Sequence, residues 1–122
     1  MKVAVLGIGL MGFPMARRLC EAEHSVHVWN RSPEKAQRLT AYGATVHAEP
    51  SDAVCESDIV ITMLHDGLAV GQVLFDLGVA AAMSASSMVV DMSSIKPAEA
   101  RTHAARLAER HIAYLDAPVS GG

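Results

Sequence analysis

Six residues near the N-terminus have the types and spacing that suit the binding of a phosphate group. The GxGxxG pattern is formed by Gly7, Ile8, Gly9, Leu10, Met11 and Gly12. Such a loop needs its first glycine for a tight turn, its second for close approach of the backbone to a pyrophosphate, and its third for close helix packing. The N–H groups and positive dipole end of a following helix favour the same anion. The pattern therefore predicts a dinucleotide-binding loop.

The residues after the second predicted strand, Ser25–Trp29, indicate which dinucleotide would fit. A carboxylate at this point would accept the ribose hydroxyls of NAD, but the chain continues with Asn30 and Arg31. The planar guanidinium of Arg31 can pair with a 2′-phosphate and stack on adenine, and Asn30 can hydrogen-bond to nearby oxygens. The sequence therefore favours NADP as the cofactor, with NAD as the alternative.

Alternating strand and helix patterns supply the scaffold that these groups need. Short apolar or β-branched runs alternate with segments of helical spacing along the whole chain. The predicted strands are Lys2–Leu6, Ser25–Trp29, Ala44–His47, Asp58–Leu64, Met88–Asp91 and Ile112–Asp116. The predicted helical segments are Leu10–Glu23, Pro33 to Tyr42-Gly43 with Ser32 as its cap, Pro50–Cys55, Leu68–Met83 with glycine interruptions, and Pro97–Arg110.

This alternation predicts the topology of the sheet. Short connections between strand and helix imply right-handed crossovers and one parallel sheet with helices on both faces. The two three-strand halves, Lys2–His47 and Asp58–Asp116, match the two mononucleotide-binding units of a doubly wound sheet. We therefore predict one α/β domain over residues 1–122, a Rossmann fold of six strands in the order 3-2-1-4-5-6.

Composition excludes several classes of partner. With 122 residues and 51% hydrophobic content the chain can close one core, and its net charge of −3 is scattered rather than gathered into the basic stripe that nucleic acid requires. The most apolar stretch, Gly67–Val90, is broken by Asp76, which argues against a membrane span. Cys20 and Cys55 are far apart, as free thiols of a cytoplasmic protein would be. The histidines show no metal-ligand spacing, so no metal site is predicted.

Four motifs carry a family resemblance that covers the whole chain. They are GIGLMGFPMARRL at Gly7–Leu19, ITML at Ile61–Leu64, DMSSIKP at Asp91–Pro97 and DAPVSGG at Asp116–Gly122. Together they resemble the N-terminal domain of the β-hydroxyacid dehydrogenase family, which includes 3-hydroxyisobutyrate dehydrogenases and tartronate semialdehyde (2-hydroxy-3-oxopropionate) reductases. The DMSSI form, with serine at Ser94, is more similar to the tartronate semialdehyde reductases.

The resemblance implies roles for residues outside the glycine loop. Met63 and Leu64 would border the nicotinamide ribose, and Ser94 would touch both the nicotinamide and the substrate, a small carboxylate. Ser94 could also cap the helix that begins at Pro97. Family members usually have proline after the ITML strand end, whereas this chain has His65, which we predict to be a solvent-exposed turn residue. The substrate carboxylate would be bound by Ser120, Gly121 and Gly122.

The resemblance also implies which parts of the enzyme lie elsewhere. In the family, hydride transfer is accompanied by proton exchange with a lysine from a later helix, and no residue here aligns with that lysine, so no catalytic residue is predicted in this chain. An all-helical second domain, and a homo-oligomer built through it, are expected beyond residue 122. Three hypotheses stay open: a reductase or dehydrogenase of a small β-hydroxy acid or semialdehyde, an imine reductase, and a non-catalytic NADPH-binding module.

Overall fold

The computed structural model describes residues 1–119, which form a six-stranded sheet flanked by helices. Strands β1 to β6 are Lys2–Leu6, Ser25–Trp29, Thr45–Val46, Ile59–Thr62, Met88–Asp91 and Ala113–Asp116. Helices α1 to α6 are Gly12–Glu21, Pro33–Gln37, Pro50–Ala53, Gly67–Gly71, Val79–Ala82 and Pro97–Ala108. Every predicted element is present, and most are shorter than the sequence predicted. None of the described helices combines the length and apolar character that a bilayer crossing requires.

The strands are all parallel and lie in the order β3-β2-β1-β4-β5-β6. The predicted fold is therefore confirmed. Because the chain moves outward from β1 in one direction and then outward from β4 in the other, the connections after β1 and β4 leave on opposite faces of the sheet. In sheets of this kind a crevice opens at the carboxyl ends of those two strands, and ligands bind there.

The central strand β1 is buried on both faces, which explains why its sequence is apolar throughout rather than alternating. On one face Val3 and Val5 pack in a core with Ala16 of α1. On the other face Ala4 and Leu6 pack with a larger core that draws on the helices of the second half. β1 is therefore held by packing on both faces, and its carboxyl end lies at the edge of the sheet.

Burial falls steadily along one row of side chains that crosses the sheet. Val28, Val5, Ile61, Val90 and Leu115 are paired in register on neighbouring strands. The first two are 0% exposed, the next two are half-buried, and Leu115 is 50% exposed. The helices packed on this face, α1 and α2, belong to the first half of the chain, so β5 and β6 keep an apolar surface that is partly open.

The helical region predicted over Leu68–Met83 forms as two short helices separated by a π-helical turn at Gln72–Asp76. This region packs closely on α6, because a side chain on Gly71 would begin 3.2 Å from Cε1 of the buried His103. The Nε2 atom of His103 lies 3.2 Å from the carbonyl oxygen of Gly67. Glycine therefore serves helix packing here rather than ligand binding.

Both α2 and α6 have a proline in their first turn, but their N-cap residues make different hydrogen bonds. Ser32 occupies the predicted N-cap position of α2, with Pro33 in the first turn, although its side chain makes no capping hydrogen bond. α6 begins at Pro97 with Lys96 at the N-cap, and the Glu99 carboxylate accepts the Lys96 N–H at 2.9 Å. The alternative role of Ser94 as the cap of this helix is therefore wrong, because Ser94 lies before the N-cap.

Candidate functional site

The glycine loop connects β1 to α1 at the point where the strand order reverses. Gly7 has φ +105°, and a Cβ atom at this position would overlap the carbonyl oxygen of Met63 on the neighbouring strand end. A Cβ atom on Gly12 would overlap the carbonyl oxygen of Gly7. The protein's own packing therefore requires glycine at both positions, as the sequence pattern predicts.

Gly9 differs from its two neighbours in the motif, because the fold itself does not require glycine there. Its φ is outside the left-handed region, and no heavy atom lies within 4 Å of where a Cβ would stand. The missing side chain leaves open space over the backbone just before α1. Protein packing therefore does not explain the glycine at this position, and the open space suits the close approach of a pyrophosphate to the backbone that the sequence pattern predicts.

The N-terminus of α1 faces the same space without a protein group that neutralises it. Met11 occupies the N-cap and makes no side-chain capping bond, and no acidic residue lies in the first turn. In the first turn, Phe13 donates its N–H to the Gly9 carbonyl oxygen at 3.0 Å and Pro14 has no N–H, so α1 offers a ligand the Gly12 N–H and the positive end of its dipole. The loop and the start of α1 therefore form a site suited to an anion.

Asn30 has a positioning role that the sequence did not predict. Its Oδ1 atom accepts the Ile8 N–H at 2.8 Å, and its Nδ2 atom donates to the carbonyl oxygen of Ser32 at 3.0 Å. The side chain therefore ties the glycine loop to the connection that carries Arg31. The second Nδ2 hydrogen of Asn30 is the donor that could make the predicted hydrogen bond with cofactor oxygens.

Two cavities lie near the glycine loop and the connection after β2. One of about 290 Å³ is lined by Ile8, Gly9, Leu10, Phe13, Pro14, Lys35 and Arg38. The other, of about 220 Å³, is lined by Trp29, Asn30, Arg31, Leu64, His65, Ala69 and Val73. A larger cavity of about 410 Å³ lies between α4 and α6 and contains none of the predicted site residues. We assign the site to the two smaller cavities because loop residues line the first, and the second is lined by Asn30, whose side chain is hydrogen-bonded to Ile8 of the loop.

Lys35 and Arg38 are cations at the site that sequence reasoning missed. Both are exposed, and both line the cavity beside Gly9. The guanidinium of Arg38 lies 5.3 Å from the ring centroid of Phe13 in α1, which holds it near the loop. Their spacing of three residues on a helical segment already places them on one face. With Arg31, they place three cationic side chains around the two cavities.

A buried carboxylate joins the carboxyl ends of β4 and β5 to the neighbouring strand β6. Asp91 is 0% exposed. Its Oδ1 atom accepts hydrogen bonds from the Thr62 hydroxyl at 2.9 Å and the Ser93 N–H at 3.0 Å, and its Oδ2 atom accepts one from the Tyr114 hydroxyl at 2.6 Å. Burial, together with this hydrogen bond to a carboxylate, raises the pKa of Tyr114 well above its usual range. The network fixes these three strands relative to one another.

The same network fixes the connection after β4, where Met63 and Leu64 lie. The Ser93 hydroxyl oxygen accepts the Leu64 N–H at 2.8 Å, and the Leu6 carbonyl oxygen accepts the Met63 N–H at 2.9 Å. Ser93 is 2% exposed, whereas its neighbour Ser94 is exposed. Of the two serines in the motif, Ser93 therefore holds the structure in place and Ser94 is open to a ligand.

The chain after β6 returns to this edge of the sheet. The Ala117 N–H donates to the Asp91 carbonyl oxygen at 2.8 Å, and the Val119 N–H donates to that of Met92 at 3.5 Å. The segment up to Val119 therefore runs beside the connection that carries Ser94. The predicted substrate ligands Ser120, Gly121 and Gly122 lie outside the described residues. Within residues 1–119, no group of three or more His, Cys, Asp or Glu side chains is arranged to hold a metal ion.

The strand order, the glycine loop and the cationic cavities beside it define a dinucleotide-binding domain of the Rossmann type. The family model described as the NAD binding domain of 6-phosphogluconate dehydrogenase matches residues 2–122, and the chain belongs to this family. It is thus an NAD(P)-binding domain, and the family resemblance carried by its four motifs is confirmed.

Characterised relatives support this assignment. The 2-hydroxy-3-oxopropionate reductase of Escherichia coli K12 is 43% identical, over 100% of this chain and 42% of the enzyme. The structure of Mycobacterium tuberculosis 3-hydroxyisobutyrate dehydrogenase with L-serine has a TM-score of 0.93 at 38% identity, covering 99% of this chain and 41% of that one. An imine reductase from Myxococcus stipitatus in complex with NADP+ has a TM-score of 0.86 at 27% identity, covering 93% and 39%. The chain spans about two fifths of the length of the curated relatives it matches.

Tyr114→Phe tests the contribution of the buried network. We expect it to lower the free energy of unfolding by about 1–3 kcal/mol near neutral pH, because the Asp91 carboxylate loses a donor. The folded protein keeps the Tyr114 proton above the ordinary pKa of 10.0, so the wild type loses this stabilisation as the pH rises above that value. In urea titrations the difference in unfolding free energy between wild type and variant should therefore stay constant up to about pH 9 and narrow as the pH rises above about 10.

The matched control is Tyr42→Phe, which removes a hydroxyl from an exposed tyrosine. It should leave the free energy of unfolding nearly unchanged across the same pH range. If the difference in unfolding free energy between wild type and Tyr114→Phe stayed constant over the whole pH range, the hydroxyl would not titrate as its hydrogen bond to Asp91 requires.

Proposed function

We propose that this chain is the NADP-binding domain of an oxidoreductase that transfers hydride between the nicotinamide and a small β-hydroxy acid or semialdehyde. The observation that carries the proposal is the open backbone at Gly9, which lies before the uncapped N-terminus of α1 at the switch point of the sheet. The bound cofactor would supply the hydride chemistry, while residues of this chain bind and orient it. Its pyrophosphate would be held by Gly7, Ile8, Gly9, Leu10, Met11 and Gly12.

Gly9→Ala tests the pyrophosphate assignment. The added methyl group meets open space in the protein, so the free energy of unfolding should change by less than about 0.5 kcal/mol. The same methyl group would occupy the space assigned to the cofactor, so calorimetric titration should show NADPH and NADH binding weakened by about tenfold or more. Unchanged affinity would remove the main support for the proposal.

Gly12→Ala is the matched control within the same motif. Its methyl group would overlap the backbone carbonyl of Gly7, so this variant should lose stability, by about 1–3 kcal/mol or more. The two substitutions thus separate a glycine that the fold needs from one that the ligand needs. Equal losses of stability in both variants would contradict this distinction.

The cations around the loop support NADP rather than NAD. β2 ends in Trp29 and is followed by Asn30 and Arg31, with no carboxylate to accept ribose hydroxyls. Arg31 lines one cavity, and Lys35 and Arg38 line the other. A 2′-phosphate is a dianion that such groups bind well, and guanidinium pairs with it through two parallel hydrogen bonds. The imine reductase neighbour that is bound to NADP+ is consistent with the same choice.

Arg31→Ala tests cofactor selectivity. Loss of charged hydrogen bonds to the 2′-phosphate should weaken NADPH binding by a factor of about 10–100, whereas NADH, which lacks this phosphate, should weaken by much less. Arg101→Ala, which removes an exposed guanidinium from α6, is the control and should change neither affinity. Equal weakening of the two cofactors, or tighter binding of NADH by the wild type, would favour NAD instead.

The substrate class rests on Ser94 and on the nature of the relatives. Ser94 is exposed beside the connection after β4, where Met63 and Leu64 would border the nicotinamide ribose. The 43% identity with an E. coli 2-hydroxy-3-oxopropionate reductase favours a semialdehyde acid over other carbonyl compounds. We therefore propose that Ser94, with Ser120, Gly121 and Gly122, binds the carboxylate and the reacting end of such a substrate.

Assays of the whole polypeptide that carries this chain test the substrate class. It should oxidise NADPH faster with 2-hydroxy-3-oxopropionate than it reduces NADP+ with 3-hydroxyisobutyrate, and Ser94→Ala should lower kcat/KM by about tenfold. Turnover confined to cyclic imines would favour an imine reductase. NADPH binding without turnover of any of these compounds would favour the non-catalytic module.

A further inference from the structure

The cavity of about 220 Å³ is lined on one side by the end of β2 and the connection after it, and on the other by the segment that follows β4. Arg31 follows β2 and His65 follows β4, and β1 lies between these strands. Two inter-strand spacings separate their backbones by roughly 10 Å. A flat ring that contacts a planar group on each face needs about 7 Å between those groups. The spacing therefore suits a planar ligand held between Arg31 and His65.

The backbone of His65 is fixed on both sides. The N–H of Leu64 before it donates to the Ser93 hydroxyl at 2.8 Å, and Asp66 after it caps α4 by accepting the Ala69 N–H at 2.9 Å. His65 itself is exposed, as the sequence predicted. Because the backbone on both sides of His65 is already fixed, ligand binding would cost little backbone conformational entropy there.

The interior of the cavity is apolar. Trp29 is 6% exposed, and its Nε1 atom donates to the Ala48 carbonyl oxygen at 3.2 Å, so its ring is held in place with its polar atom satisfied. Leu64, Ala69 and Val73 complete the apolar lining. An apolar interior between a guanidinium and an imidazole suits a flat heteroaromatic ring with a polar edge, and does not suit a carboxylate or a small inorganic ion.

We propose that His65 is a cofactor-binding residue that holds the adenine ring of the cofactor from the side opposite Arg31. This inference rests on the proposed function, since it deepens the account of the same cofactor site. An imidazole offers a π face for stacking and a ring N–H for hydrogen bonding.

Calorimetric titration of wild type, His65→Ala and His65→Phe with NADPH and with NADH tests the inference. Because both cofactors carry adenine, His65→Ala should weaken both to a similar extent, by about tenfold. His65→Phe keeps a planar face and should remain within about threefold of the wild type. His24→Ala, which removes an imidazole before the amino end of β2, is the control and should bind both cofactors as the wild type does.

The possible outcomes separate this inference from the proposed function. Wild-type binding that His65→Ala leaves unchanged would overturn the role of His65 and leave the proposed function intact. If His65→Ala weakened the binding of NADPH but not of NADH, His65 would lie at the 2′-phosphate and the proposed contact with the base would be overturned. Failure of the folded wild type to bind either cofactor would overturn the proposed function, and with it the inference. Equal weakening in His65→Ala with recovery in His65→Phe would support both.

Discussion

The whole site depends on one close contact, in which the first turn after β1 lies against the end of β4. Gly7 approaches the Met63 carbonyl so closely that no Cβ fits, and Gly12 approaches the Gly7 carbonyl in the same way. These two contacts set the start of α1 against the sheet at the point where the strand order reverses. The N–H groups of α1 therefore face a space bounded by β2 on one side and β4 on the other.

Polar side chains inside the protein then hold the surrounding connections in position. Asn30 ties the glycine loop to the segment after β2, and Asp91 ties the ends of β4 and β5 to the neighbouring strand β6. A buried carboxylate without donors would be costly, so the three donors around Asp91 stabilise a single arrangement of these strands. Ligand-binding residues mounted on such connections need little reorganisation when a ligand arrives.

What the sequence predicts well is what depends on local pattern. The bounds of β1, β2 and β5 match residue for residue, because short apolar runs ended by glycine or a polar group are distinct signals of buried parallel strands. Contacts between distant residues could not be predicted in this way. The hydrogen bond from Ile8 to Asn30 joins residues 22 positions apart in the sequence, and the hydrogen bond from Leu64 to Ser93 joins residues 29 positions apart. The assignment of Ser94 as a helix cap is wrong for a local reason, since Lys96 and Glu99 already form that cap.

The row of side chains from Val28 to Leu115 shows that the two sides of the site are not equally enclosed. β1 and β2 are fully covered where the glycine loop and Arg31 leave the sheet, whereas β5 and β6 keep half-exposed apolar residues such as Val90 and Leu115. Parallel sheets are normally covered on both faces. The proposed cofactor site therefore lies on the enclosed half of the fold, and the proposed substrate site at Ser94 lies on the open half.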